Sequence, residues 1–335
     1  MYNIMLSYPL FGKGMQILQS TTELFVSNSG DLVPYMDKLR AADAFITRNV
    51  HPSTQMLETC PNLKIIGIPG VGYQSYDMDY LNSRGIAVVY CPAMNLRAVA
   101  EHAVGMAYAM TKWIPRDDRE VRRGNYGIRN AFDHLELQGC KVGIAGFGAI
   151  GRETARLFRA NGMEVYIYDP YATKADAEGL GCHYCATLEA LLPQVRILSL
   201  HMPSLPTTYH MFDEKAFAAM ADGVYFINCA RGSVVDEAAL YNALVSGKVA
   251  AAALDVMEKE PFDLDNPLLS LPNVIVTPHV GGVTAQTSER IHEKVVTSTL
   301  SLLSGIRVDN VANPEALKHP RWDFLRSGED RGAGK

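Results

Sequence analysis

The 335-residue chain has no uninterrupted apolar run approaching the eighteen or so residues that cross a bilayer as a helix. It also lacks any block of lysine and arginine able to track a phosphate backbone, and its net charge is −5. Neither a membrane nor a nucleic acid is therefore expected as a partner. The opening residues, MYNIMLSYPLFGKG, have no basic stretch followed by a long apolar core, so no export signal is expected. Cysteine is sparse, with six residues at 60, 91, 140, 182, 185 and 229. A chain of this size needs no disulfides, and reduced thiols in the cytoplasm are the simpler expectation. Cys182-His183-Tyr184-Cys185 is spaced like half a metal site, but no second pair completes it. Cys182 and Cys185 are therefore expected to pack beside a short strand, with no metal bound.

What the chain does contain is the balance of a globular protein, 48% hydrophobic and 20% charged residues, at a length that favours two domains. Short β-rich apolar runs alternate with helical stretches throughout, which is the pattern of α/β architecture. The first series is Ile4–Ser7, Leu24–Val26, Ala44–Thr47, Ile65–Ile68 and Ala87–Tyr90. The second is Lys141–Ala145, Glu164–Tyr168, Val195–Leu200, Val224–Asn228, Ala251–Asp255 and Val274–Val276. Amphipathic pieces at Leu32–Ala41 and Ser53–Thr59 separate strands of the first series. Two longer helical patterns, Asn95–Thr111 and Ala285–Leu303, flank the second series. The closing helix lies too far along to belong to the second sheet and is expected to return to the first domain. The polar tail from Ser327 to Lys335 reads as disordered.

The strongest local signal is Lys141-Val-Gly-Ile-Ala-Gly146-Phe-Gly148-Ala149-Ile150-Gly151-Arg152. Three glycines spaced GxGxxG close an apolar strand and open a helical run. They permit a tight turn, close approach of a pyrophosphate, and close packing of helix on strand, with the helix N-terminus facing the phosphates. The next strand ends in Asp169, whose carboxylate suits two ribose hydroxyls and repels a 2′-phosphate, so the cofactor expected is NAD. Gly70-Val71-Gly72 has neither a third glycine nor a ribose acid after it and is not a second such site. Arg231, Glu260 and His279 each follow a strand of the second series, where open parallel sheets bind ligands. Each alone has a plain structural reading. Arg231 could cap a helix or pair with Asp236, Glu260 could be a solvated acid beside Lys259, and His279 a bonded residue in a turn. Their shared placement favours an anion site with a titrating acid/base.

These motifs resemble the D-isomer-specific 2-hydroxyacid dehydrogenases. The likeness runs from about Ile65 to Pro314. It rests on Gly146–Gly151 with Asp169, on Leu200-His201-Met-Pro203-Ser-Leu-Pro-Thr-Thr-Tyr-His210, and on Ile227-Asn-Cys229-Ala230-Arg231-Gly-Ser-Val-Val-Asp-Glu237. It continues through Ala253-Leu-Asp255-Val-Met-Glu-Lys-Glu260-Pro261 and Val276-Thr-Pro-His279-Val-Gly281-Gly282. Upstream, Gly70-Val71-Gly72-Tyr73 and Asn95-Leu-Arg97-Ala-Val-Ala-Glu101-His102 match the family's substrate loop and linking helix. Gln74-Ser75 and Arg97 depart from its usual residues.

The resemblance implies two Rossmann-like or flavodoxin-like domains with parallel sheets. Residues 1–95 with 288–335 would form a discontinuous substrate domain and 96–287 the NAD-binding domain, with the active site in the cleft between them. It implies hydride transfer between NAD(H) and a small 2-keto or D-2-hydroxy acid. Arg231 would hold the carboxylate and polarise the keto oxygen. His279 would pass the proton, and Glu260 would orient its ring and favour its charged form. Val71 and Gly72 would meet the other side of the substrate carboxylate. Gly146, Gly148, Ala149, Ile150, Gly151, Arg152, Asp169, His201, Pro203, Cys229, Ala230, Asp255, Gly281 and Gly282 would line the cofactor. A homodimer is implied as well. Two alternatives stay open: a non-catalytic NAD(H)-sensing protein of the same fold, and a 3-phosphoglycerate dehydrogenase. The latter calls for extra basic residues, for which Arg48 and Arg97 are candidates, and often carries a C-terminal extension that this chain lacks.

Overall fold

A computed structural model describes residues 1–47, 50–73 and 75–326. The expectations for Arg48, for Gln74 and for the tail from Ser327 fall outside those residues. The chain folds as two compact units, one from Met1–Met94 joined by the chain from Thr284 onward, the other Asn95–Val283. Both are α/β with parallel sheets, and the first is discontinuous, as the sequence pattern implies.

The first unit holds strands β1 (Tyr2–Leu6), β2 (Thr22–Val26), β3 (Ala44–Ile46), β4 (Ile65–Gly67) and β5 (Ala87–Val89), in the order β2-β1-β3-β4-β5. That order is the flavodoxin-like one. Parallel strands covered on both faces need apolar residues at nearly every position. Accordingly Ile4 and Leu6 enter one core with Ile46, Ile65 and Val295, and Met5 enters another with Phe45, Ile66 and Val88. The helix Ala285–Leu303 has the bounds its apolar spacing gives, with Thr284 accepting a cap bond from Thr287. Its Ile291, Val295 and Val296 are buried in this first unit.

The second unit holds β6 (Lys141–Ala145), β7 (Glu164–Tyr168), β8 (His183–Tyr184), β9 (Ile197–Leu200), β10 (Val224–Asn228), β11 (Val249–Leu254) and β12 (Val274–Val276). They pair in the order β12-β11-β10-β9-β6-β7-β8, the Rossmann arrangement with its reversal between β6 and β9. Side-chain alternation separates the two faces. Val142, Ile144, Val165 and Ile167 pack on one, and Ala145, Leu198, Leu200 and Phe226 on the other. Cys182 and Cys185 flank β8 and are buried in different cores, so their thiols lie on opposite faces of the sheet and cannot share an ion. Burial raises the pKa of both thiols.

Candidate active site

At the reversal point, β6 runs into the glycine loop and then the helix Ala149–Ala160, which begins three residues before Arg152, where the sequence pattern starts its helical run. Gly146 has φ +96°, and a Cβ there would lie 2.6 Å from the backbone of His201. A Cβ on Gly151 would lie 2.1 Å from the carbonyl oxygen of Gly146. Neither position accepts a side chain. A Cβ on Gly148 would meet nothing within 4 Å, so open space lies before the first turn, where Ala149 and Ile150 sit. The early N–H groups of a helix lack intrahelical acceptors, and this space is where a pyrophosphate would meet them.

Asp169 braces the same loop. Its Oδ2 accepts the Phe147 N–H at 2.7 Å and its Oδ1 accepts the Tyr171 N–H at 2.7 Å. A carboxylate offers about four acceptor sites, so capacity remains for ribose hydroxyls. Arg152 faces inward: its Nε donates to the Phe147 carbonyl and its Nη2 to Asp176, both at 3.0 Å. Side-chain and backbone bonds from Thr173, then the Arg152 guanidinium, hold the Asp176 carboxyl down to about 2. Arg152 therefore stabilises the loop from behind, and its backbone N–H goes to the Gly148 carbonyl.

Beyond β9, His201 is partly accessible, but its Nδ1 is buried and has no partner among the described residues. Its Nε2 lies 2.9 Å from Ser199 Oγ, and burial pushes the imidazole down to about 3, so it is neutral. An orphaned buried nitrogen beside an open glycine cradle fits a polar dinucleotide better than an apolar ligand. Pro203 follows in an exposed loop. Cys229 and Ala230 are buried past β10, and burial, with Asp255 nearby, pushes the Cys229 thiol up.

The three polar residues that follow successive strands come together. Asn228, at the end of β10, accepts the Ala230 N–H and donates to the Arg231 carbonyl, fixing the turn that carries Arg231. A Cβ on Gly232 would lie 1.9 Å from the Met257 carbonyl carbon, so the Arg231 turn and the loop after β11 touch backbone to backbone. Glu260 lies on that loop, and the peptide after it is cis. Its Oε2 is 2.7 Å from His279 Nδ1, and its Oε1 accepts the Met257 N–H at 3.3 Å. Burial lowers the pKa of Arg231, opposed by the charge of Glu260. Its Nη1 donates to its own neighbour, the Ala230 carbonyl, at 2.6 Å. Two of the plain pairings are not made, although Glu260 is exposed and His279 is a hydrogen-bonded residue in a turn. Asp236 caps the helix Glu237–Val245, and Lys259 pairs with Asp263.

Past β12, Thr277 Oγ1 donates to Asp255 at 2.6 Å, and the N–H groups of Val280 and Gly281 point to the same carboxylate. A Cβ on Gly282 would meet Asn95 at 2.8 Å. His102, whose spacing places it on the apolar stripe of its helix, instead reaches Thr277 and Asp255. Arg97 is paired with two carboxylates. It bonds Glu101 at 2.6 Å and Glu153 at 2.9 Å on an exposed face of its helix. Val71 and Gly72 lie in the first unit, in the loop after β4.

Residues 104–281 match the model of the D-isomer specific 2-hydroxyacid dehydrogenase NAD binding domain. The chain is 38% identical over 271 residues to a D-3-phosphoglycerate dehydrogenase of Archaeoglobus fulgidus, covering 81% of this chain and 51% of that one. It is 35% identical to a hydroxypyruvate reductase of Thermotoga maritima, covering 88% of this chain and 96% of the relative. Among solved structures, an NADPH-dependent glyoxylate/hydroxypyruvate reductase of Sinorhizobium meliloti superposes with a TM-score of 0.81 at 29% identity. That match covers 92% of this chain and 97% of the other. The chain thus spans about half the length of the Archaeoglobus phosphoglycerate dehydrogenase and nearly all of the shorter reductases. It belongs to the D-isomer specific 2-hydroxyacid dehydrogenase family, and its second unit carries that family's NAD-binding domain.

Proposed function

We propose that this protein is an NAD-dependent dehydrogenase that interconverts a small 2-keto acid and its D-2-hydroxy acid. The observation that carries the reading is the Glu260–His279 contact at 2.7 Å beside a partly buried Arg231. Bound NADH supplies the hydride that no side chain can. The residues proposed to hold it are Gly146, Gly148, Ala149, Ile150, Gly151, Asp169, His201, Pro203, Cys229, Ala230, Asp255, Gly281 and Gly282, with Arg152 bracing the loop. Arg231 offers a planar pair of donors to the substrate carboxylate and keto oxygen. With Nδ1 of His279 bound to Glu260, Nε2 is the nitrogen left to face a substrate. In the imidazolium, Nε2 gives a proton to the developing alkoxide; in the neutral ring it accepts one, so the same pair serves both directions.

The substrate-binding role falls to residues 1–95 and 288–335, through the backbone of Val71 and Gly72, and the cofactor role to 96–287. Homodimerisation through the cofactor domain is supported by the segment after Thr111. No residue of its helix Ile114–Arg122 is buried, and Ile114, Val121, Tyr126 and Phe132 expose large apolar surfaces. A cytoplasmic location is supported by six cysteines that are all unpaired.

The test is NADH oxidation followed with glyoxylate, hydroxypyruvate, phosphohydroxypyruvate, pyruvate and 2-ketoisocaproate in turn, beside a His279→Ala control. Turnover of at least one acid, lost in the control, is the expected result. NADH binding without turnover of any of them would leave a sensing protein in its place. Light scattering at micromolar concentration should give the mass of two chains.

A further inference from the structure

The turn that carries His279 is held in a conformation that its own residues disfavour. His279 has φ 53°, a left-handed value that non-glycine residues keep only where the surroundings impose it. Its N–H donates to the Asp255 carbonyl at 2.8 Å, while the Val280 and Gly281 N–H groups donate to Asp255 Oδ1 at 2.9 Å and Oδ2 at 2.8 Å. Three consecutive amides are thus gripped by one residue. Asp255 is gripped in its turn from the other side. Thr277 Oγ1 donates to Oδ1 at 2.6 Å, and His102 Nε2 lies 3.1 Å from that hydroxyl and 3.4 Å from Oδ1.

The direction of each bond follows from hydrogen counting. A carboxylate only accepts, and a hydroxyl has a single hydrogen, which Thr277 gives to Asp255. His102 Nε2 must therefore carry a hydrogen and donate it. Burial works to raise the Asp255 carboxyl, but bonds from His102, Thr277, Val280 and Gly281 outweigh it and hold the group below its ordinary value. The packing leaves no slack. A Cβ on Gly281 would lie 2.9 Å from Asp255 Oδ2 and 3.3 Å from His102 Cδ2.

We infer that His102 and Thr277 are positioning residues, acting through Asp255 to fix the 277–281 turn and so aim His279 at the substrate. The inference rests on His279 as the proton donor proposed above. Neither residue needs to touch cofactor or substrate. Each supplies a hydrogen that keeps Asp255 anionic and in place.

Thr277→Val removes the hydroxyl at nearly constant shape, and Thr277→Ser keeps it. Hydrogen–deuterium exchange of the His279–Gly281 amides reads the turn without turnover. Fluorescence titration gives the NADH dissociation constant, and kcat is measured with the best keto acid of the parent enzyme. Thr277→Val should speed exchange at these amides and lower kcat about tenfold or more, the scale of a misaimed catalytic group. Its NADH dissociation constant should rise by a smaller factor than kcat falls, because Asp255 and Gly281 lie in the loosened turn while the glycine loop and Asp169 hold the cofactor at other strands. Thr277→Ser should restore both exchange and kcat. If Thr277→Val does not fold, His102→Gln, which still donates, is compared with His102→Leu, which does not. Parental exchange and kcat in the non-donating variant, or equal damage in the donating one, would overturn the inference. A His279→Ala enzyme with undiminished kcat would instead overturn the proton-donor reading, and the exchange rates would still decide whether Thr277 holds the turn.

Discussion

At the scale of single residues, Arg231 and Asp169 make the sharpest expectations. Lysine at 231 would keep the charge but lose the two-pronged geometry. Arg231→Lys should raise KM for the keto acid and lower kcat, with a combined fall in kcat/KM of roughly a hundredfold, about 3 kcal/mol for one preorganised donor. NADH affinity should hold, since the glycine loop and Asp169 lie at the other strands. Steady-state kinetics beside a binding titration separates these effects, and kcat/KM within threefold of the parent would make Arg231 structural. Asp169→Ala should narrow a preference for NADH over NADPH of at least about tenfold, or 1.4 kcal/mol. The change should come mainly from weaker NADH binding, because the carboxylate also holds the Phe147 and Tyr171 amides of the cradle. Equal binding of the two cofactors by the parent would remove that role. Arg231, Glu260 and His279 are legible in the sequence because each follows a strand, and parallel strands bring their carboxyl ends to one edge. His102 and Thr277 are not. They are 175 residues apart in the chain, and His102 sits at a helix position where apolar spacing alone predicts a core residue.

At the scale of elements, strands buried on both faces announce themselves, while elements without an apolar stripe do not. β6, β7, β10 and β12 have the bounds that their β-branched and apolar runs give. The helix Ile114–Arg122, sequence IPRDDREVR, buries no residue, and nothing in its pattern separates it from a polar loop. Close approaches between loops are equally silent in the sequence, since a glycine does not say what backbone passes it. Gly232 is the case that bears on the site. Gly232→Ala would force a methyl onto the Met257 backbone, which cannot swing away as a side-chain end would. Separating the two loops should cost about 1–3 kcal/mol of stability, as overpacking does. It should also part Arg231 from Glu260 and lower kcat more than it weakens NADH. A fully active, equally stable variant would show that the two loops need not touch.

At the scale of the whole molecule, the two units have separate cores and so separate stabilities, which a single unfolding free energy would conceal. The returning chain after the helix Ala285–Leu303 decides the stability of the first. β5 ends that sheet, and an edge strand leaves amides and carbonyls unpaired. Asn313 covers them: its Oδ1 accepts the Val88 N–H at 2.7 Å and its Nδ2 donates to the Ile86 carbonyl at 3.0 Å. Asn310 does the same at the Tyr90 carbonyl, and Trp322, fully buried, donates to the Gly85 carbonyl at 2.8 Å. Asn313→Ala would leave a buried donor and a buried acceptor without partners, at about 1–3 kcal/mol each. The first unit should then melt lower by on the order of 10 °C, given the entropy of unfolding for a domain of its size. The second unit should not follow, because none of these bonds belongs to it. Calorimetry with and without NADH makes the distinction: the ligand should still raise the melting of Asn95–Val283 by the parental amount. If instead both units melted earlier together and NADH lost its affinity, the separate cores would be one cooperative structure.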